Sequence, residues 1–232
     1  MRIGLIFHRS CWGLVLMLAV ACLPWQARGE ELQIPKCEEA WCFAVAQPPS
    51  AWPAAYTGKT VEVQENPRIL IDIPAGIKKI VRSDSVTLIM YDGKKVLSLS
   101  EHRKEDYADF MKAVEGTNYT LNDLIHVIFT KTPKDKEPEA TPDQTFWRLA
   151  MRFKSTYMGE PGTRVFTGKK GAVTVYYKKE SKPILGNQEN TAIVLNENSP
   201  ATFLQISSTN MSFDEFTKII GTIREKIVLA AR

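Results

Sequence analysis

The sequence predicts an α+β domain behind an export leader. Three observations predict the class. Strand-like runs with a tight hairpin come first, three amphipathic helical patterns follow, and a second series of hairpins ends in one more amphipathic helix. The 232 residues are 44% hydrophobic and 24% charged, enough apolar material for one good core. The formal charge of +4 gives no support for a nucleic-acid partner. Three of the 30 basic residues (Arg2, Arg9 and Arg28) lie in the first 29 positions, which hold no acid, so the remainder is 27 basic against 26 acidic, near neutrality.

Residues 1–29 read as a signal peptide. Arg2 and Arg9 flank the start, and Leu14 to Ala21 is an apolar run shorter than the roughly 20 residues a membrane-spanning helix needs. Pro24 breaks the helix, and Ala27-Arg28-Gly29 places small residues where a signal peptidase reads, so cleavage is expected after Gly29. Two alternatives stay open: an uncleaved anchor, and lipidation of Cys22 within the lipobox-like Ala19-Val20-Ala21-Cys22, where leucine is the usual first residue. Lipidation would tie the chain to a membrane surface rather than through it.

Residues 30–58 read as an extended segment, and residues 59–232 as a single α+β domain, with compact structure expected from about Lys59. Cys37 and Cys42 remain after cleavage, and a near pair in an oxidising compartment is expected to form a local disulfide. A redox or metal role fits poorly, because the spacer is four residues rather than two and no histidine is near. Trp41 and Trp52 are either plugs at a core edge or a small-ligand platform. Gln47-Pro48-Pro49 to Trp52-Pro53 has the stiffness of a linker or extended arm.

Val61 to Val63 alternates, and Arg68 to Ile73 is a β-rich run closed by Pro74-Ala75-Gly76. Val86 to Tyr91 and Lys95 to Ser100 flank Asp92-Gly93, a hairpin signal in which both turn positions take positive φ. A first helix starts near Lys104 with Tyr107, Phe110, Met111 and Val114 on one face. Thr120 caps a second that carries Leu121, Leu124, Ile125 and Ile128. The third has Thr141 as N-cap, Pro142 at the first helical position and Gln144 completing a capping box. Lys131 to Glu139 is a solvated loop.

Thr163 to Thr167 and Ala172 to Lys178 flank Gly168-Lys169-Lys170-Gly171 as a further hairpin, the second strand more buried on the face of Val173, Val175 and Tyr177. Its glycines and lysines do not form a phosphate loop, because the segment joins strand to strand. Thr191 to Leu195 and Ala201 to Ser207 flank a five-residue connection. Ser212 then caps a helix running to about Val228, with Glu215 closing a capping box and Met211 and Phe216 forming a hydrophobic staple. Phe216, Ile219, Ile220, Ile223 and Ile227 form its apolar stripe, which calls for a sheet beneath it.

Serine, zinc-protease, acyl-serine and dinucleotide signatures are missing, so no catalytic, cofactor-binding or metal residue is assigned. His102 and His126 stand apart at no metal-ligand spacing, as satisfied or surface histidines. Glu101, Glu105, Asp106 and Asp109 meet the dipole of the first helix. Asn118-Tyr119-Thr120 and Asn210-Met211-Ser212 are glycosylation sequons, meaningful only in a eukaryotic host.

Arg68-Ile-Leu-Ile-Asp-Ile-Pro-Ala-Gly76, the later hairpins, and Ala201 to Ser208 leading into Phe213 to Ile223 resemble the Mog1/PsbP-like fold, including exported bacterial proteins similar to DcrB. The resemblance covers most of residues 60 to 230, and the consecutive mid-chain helices depart from its simplest version. It implies a mainly antiparallel sheet with helices packed on both faces, an α/β/α sandwich, in a family of mostly non-enzymatic accessory or binding proteins. No functional residue carries over. The expectation is a periplasmic or secreted accessory protein that binds another envelope protein, with no cofactor and no nucleic acid, and with membrane contact only through Cys22. An exported hydrolase with a dispersed site, or a small-ligand binder, are the rival readings.

Overall fold

Alternation of apolar and polar residues, with frequent β-branched side chains, builds most of the ten strands found among the described residues. They are β1 (Thr60–Asn66), β2 (Ile69–Pro74), β3 (Lys79–Arg82), β4 (Val86–Met90), β5 (Val96–Arg103), β6 (Val165–Lys170), β7 (Val173–Lys179), β8 (Glu189–Asn196), β9 (Thr202–Thr209) and β10 (Arg224–Glu225). Among the described residues the α-helices are α1 (Ala108–Ala113), α2 (Leu121–Thr130), α3 (Thr141–Met158) and α4 (Phe213–Gly221). This computed structural model describes residues 40–158, 163–180 and 187–226. The leader, Cys22, Cys37 and Ile227 lie outside the described residues, as does the side chain of Trp41.

Seven strands form an antiparallel sheet in the order β3-β4-β5-β9-β8-β7-β6, and β1-β2-β10 form a smaller one. On one face of the large sheet, Ile89, Leu97, Leu99, Ile206, Val194 and Val175 pack against Ile69, Ile71 and Ile73 of the small sheet and against Phe216, Ile219 and Ile220 of α4. On the other, Val165, Tyr176, Ile193, Leu195 and Phe203 lie beneath Phe110, Leu124, Ile128, Phe146 and Ala150 of α1 to α3. The fold is α+β, with an antiparallel sheet carrying helices on both faces. Burial from both sides is why β7 is buried from Val173 to Lys178, not on the single face its alternation suggested.

The helix starts follow the capping chemistry with two adjustments. In α2, Thr120 Oγ accepts the Asp123 N–H at 3.2 Å and the Asp123 carboxylate takes the Thr120 N–H at 2.8 Å, a complete box. Ser212 Oγ accepts the Glu215 N–H at 3.1 Å, but the Glu215 carboxylate turns away to the Lys95 ammonium at 2.9 Å. The third helix begins one residue earlier than Thr141-as-cap implies. The Ala140 carbonyl accepts the Gln144 N–H at 2.9 Å, so Thr141 and Pro142 both lie in the first turn, where a missing N–H costs nothing.

Three further boundaries differ. The Asp92-Gly93 hairpin exists, but positive φ falls on Gly93 and Lys94, so the loop sits one residue later. Gly168, Lys169 and Lys170 belong to β6, and the turn is Gly171-Ala172, with Gly171 at φ +58°. The closing helix stops at Gly221, not near Val228. Thr222 Oγ lies 2.9 Å from the Asp72 carbonyl and accepts the Asp72 N–H at 3.0 Å, and Arg224–Glu225 then pair with β2. A hydroxyl that competes for backbone partners, two β-branched residues and an open edge on β2 together outweigh the helical periodicity. Ile223 keeps its place in the core without being helical.

Compact structure starts before Lys59. The arm preceding β1 runs along the edge of β6, with Gln47 N–H to Val165 O at 2.9 Å and Ser50 N–H to Thr167 O at 3.0 Å. It then crosses α4, where Trp52 Nε1 donates to Gly221 O at 3.0 Å and Tyr56 N–H to Lys218 O at 3.0 Å. Gly221 is required there: a Cβ would stand 2.4 Å from the Ala54 carbonyl oxygen.

Candidate functional site: an open sheet edge

The large sheet has two edges and they are treated differently. The arm closes β6, whereas β3 borders no described element on its outer side. Gly76, at φ +89°, turns the chain out of β2 toward it. All four residues of β3 are exposed, Ile80 by 45% and Val81 by 40%. Ser83 N–H bonds Val86 O at 2.9 Å, and antiparallel bonding alternates, so Val81 and Lys79 face β4 with their backbone groups. The N–H and C=O of Ile80 and Arg82 therefore point off the sheet.

Register sorts the side chains. Ile80 lies in one row with Ile89 and Leu97, at the rim of the core shared with α4. Val81 lies on the opposite face with Leu88, next to Met90, which is 40% exposed, and Val96. Beyond that apolar strip, Ser98, Ser100, Gln205, Ser207 and Thr209 form a half-buried polar ladder before the helices begin. Three cations mark the edge. Lys78 pairs with Asp92, Arg82 reaches Glu65 at 3.5 Å, and Lys79 makes no ion pair among the described residues.

The titratable groups elsewhere are held by the fold. His102 stacks on Phe203 with ring centroids 4.6 Å apart, and its Nδ1 lies 3.3 Å from Tyr107 Oη, which is 2.7 Å from Tyr157 Oη. Burial pulls the His102 pKa below its ordinary value against the pull of Asp106. His126 Nδ1 lies 2.7 Å from Tyr176 Oη, burial lowers the histidine, and burial pushes the phenol up to about 12. Burial thus disfavours the charged form of both partners, and Tyr176 is not activated as a phenolate. Glu101 is buried and accepts from Asn66 Nδ2 at 3.1 Å and Arg103 Nε at 2.7 Å, while Asp106 takes the Arg103 N–H at 2.8 Å. Of the four acids expected at the first helix, Glu101 is thus a strand residue in a buried network.

Two clefts are small and shallow. One of about 290 Å³ lies between Pro53 and the rings of Phe166, Tyr177 and Phe213, which pack on one another at 5.5 to 6.2 Å. Another of about 210 Å³ lies beside His126, Asp123, Thr174 and Glu197. Among the described residues, no three His, Cys, Asp or Glu side chains group as a metal site, and no helix is long and apolar enough to cross a membrane. Trp52 has its indole N–H engaged by Gly221 O, and the Lys170 ammonium lies 5.9 Å from its ring, so this tryptophan fastens the arm. Cys42 is fully buried.

β3 has no periodicity long enough to predict a strand. The signal was present but short: Ile77-Lys-Lys-Ile-Val-Arg82 holds two adjacent apolar residues between cations, then Ser83-Asp84-Ser85 turns the chain.

No family model and no curated protein matches this chain. Among solved structures it is similar to a Bacteroides thetaiotaomicron protein at 12% identity and a TM-score of 0.37, over 73% of this chain and 49% of that one. It is also similar to a mutant of Mog1, at 8% identity and a TM-score of 0.36, over 72% of this chain and 95% of that one. The chain thus spans about half the length of the first and nearly all of the second.

Proposed function

We propose that this is an exported, non-catalytic accessory protein of the cell envelope that binds another protein. The observation carrying the reading is the edge strand β3, which no described element covers, with Ile80 and Val81 exposed on its two faces, in a sheet whose other edge is closed. Proteins usually cover, shorten or charge a bare edge, because its unpaired backbone groups recruit other chains. In this reading the leader 1–29 is removed after Gly29, Cys37 and Cys42 form a disulfide, and the domain acts in the periplasm or outside the cell. Lipidation at Cys22 is the other processing outcome, distinguished by the mass of the mature N-terminus.

The test is a photo-crosslinking amino acid placed at Val81 and, as control, at Gln64 on the small sheet. In living cells, one protein captured from Val81 and not from Gln64 is expected. Equal labelling from both positions, or none from Val81, overturns the reading.

A further inference from the structure

Resting on the reading of β3 as a docking edge, we propose that its partner supplies an extended segment reading acid–apolar–apolar–acid, added as an eighth strand. The backbone half of recognition comes from Ile80 and Arg82, whose N–H and C=O groups point outward and form one repeat of a strand ladder. The side-chain half comes from the order Lys79-Ile80-Val81-Arg82. A strand laid alongside sets one residue opposite each of these. An apolar residue beside Ile80 continues the row of Ile89 and Leu97, and one beside Val81 continues the row of Leu88. Carboxylates at the two ends meet Lys79 on the face that carries α1 to α3 and Arg82 on the face that carries α4. The pattern reads alike in both strand directions, because the edge itself is cation–apolar–apolar–cation.

Charge gives a second copy no advantage. Antiparallel self-pairing must oppose residues whose backbone groups both point off the sheet, as in Ile80 against Arg82 with Val81 against its own copy, and β3 holds no carboxylate to set against Lys79 or Arg82. Lys78 adds a third cation to the approach, partly offset by Asp92, and the contact of Arg82 with Glu65 is long enough at 3.5 Å to be exchanged. The cations of this edge therefore find their carboxylates on an acidic strand and not on a second β3.

The probe is a synthetic peptide with Glu-Val-Ile-Glu at its centre, titrated into the purified, natively processed protein and followed by amide chemical shifts. Shifts centred on β3 and β4, weakening as salt is raised, are expected. In Ile80→Pro the ring replaces an N–H that points off the sheet, so the β4 ladder survives and peptide affinity falls at least about tenfold. The double variant Lys79→Glu/Arg82→Glu should prefer a Lys-Val-Ile-Lys peptide over the acidic one. If the Glu-Val-Ile-Glu peptide binds Ile80→Pro unchanged, or the charge-reversed variant keeps its preference, strand addition by an acidic segment is wrong. A dimer that Ile80→Pro disperses would also overturn it in favour of self-pairing. Crosslinking from Val81 without peptide binding would sink this proposal alone and leave the docking edge standing.

Discussion

Lys154 on α3 is fully buried, and its ammonium donates to the Ile128 carbonyl at 2.6 Å. That oxygen belongs to the last turn of α2, where carbonyls have no intrahelical partner and the helix dipole favours a cation. Burial still prevails, lowering the Lys154 pKa to about 8 although Asp135 pulls it upward. The sign of the linkage follows. Between about 8 and 10.5 the unfolded chain keeps a proton that the folded chain has released, so this group's contribution to stability rises with pH. Urea unfolding of wild type against Lys154→Met from pH 7.5 to 9.5 should show wild type gaining on the variant as pH increases. A constant difference across that range would refute the assignment. Measurements above pH 10 mix in tyrosines, since burial pushes the Tyr157 and Tyr176 phenols up to about 12 and folding then loses stability as pH rises.

Among the elements, α4 shows how capping and packing divide the work. Its start is local: Ser212 satisfies the Glu215 N–H, and Ser212→Ala is expected to cost about 1 kcal/mol in urea unfolding. Retention of the Lys95–Glu215 pair, which does not pass through Ser212, should keep the helix in place in that variant. Its end is not local. Gly221 ends the helix where the arm crosses, and Thr222 hands the chain to β2. The same division holds at β3, which has no core face of its own. Its residence in the sheet depends on the ladder with β4 and on two apolar residues at the rim.

For the molecule as a whole, the asymmetry of the two sheet edges organises both stability and proposed docking. Gly221→Ala tests it without touching either edge directly. The new methyl would collide with the Ala54 carbonyl, so the arm must lift or the helix must shift, at a cost of about 1–3 kcal/mol. Loss of the Trp52–Gly221 bond should red-shift tryptophan emission, and the bared β6 edge should make the protein associate at high concentration. Unchanged emission and a monomeric protein would show that the arm contributes nothing to edge closure.

Sequence alone determined the α+β class, the strand and helix patterns of the two halves, the capping of α2 and α4, and the absence of recognisable catalytic signatures, because periodicity and end chemistry act within a few residues of one another. Tertiary structure decided the rest. It alone buried both faces of β7, stopped α4 at Gly221, laid the arm on β6 and left β3 with no described element on its outer side. Each of those outcomes depends on which segment arrives at a given edge or face. That is a competition among residues as much as 169 positions apart, as between Trp52 and Gly221, and a local pattern holds no record of it.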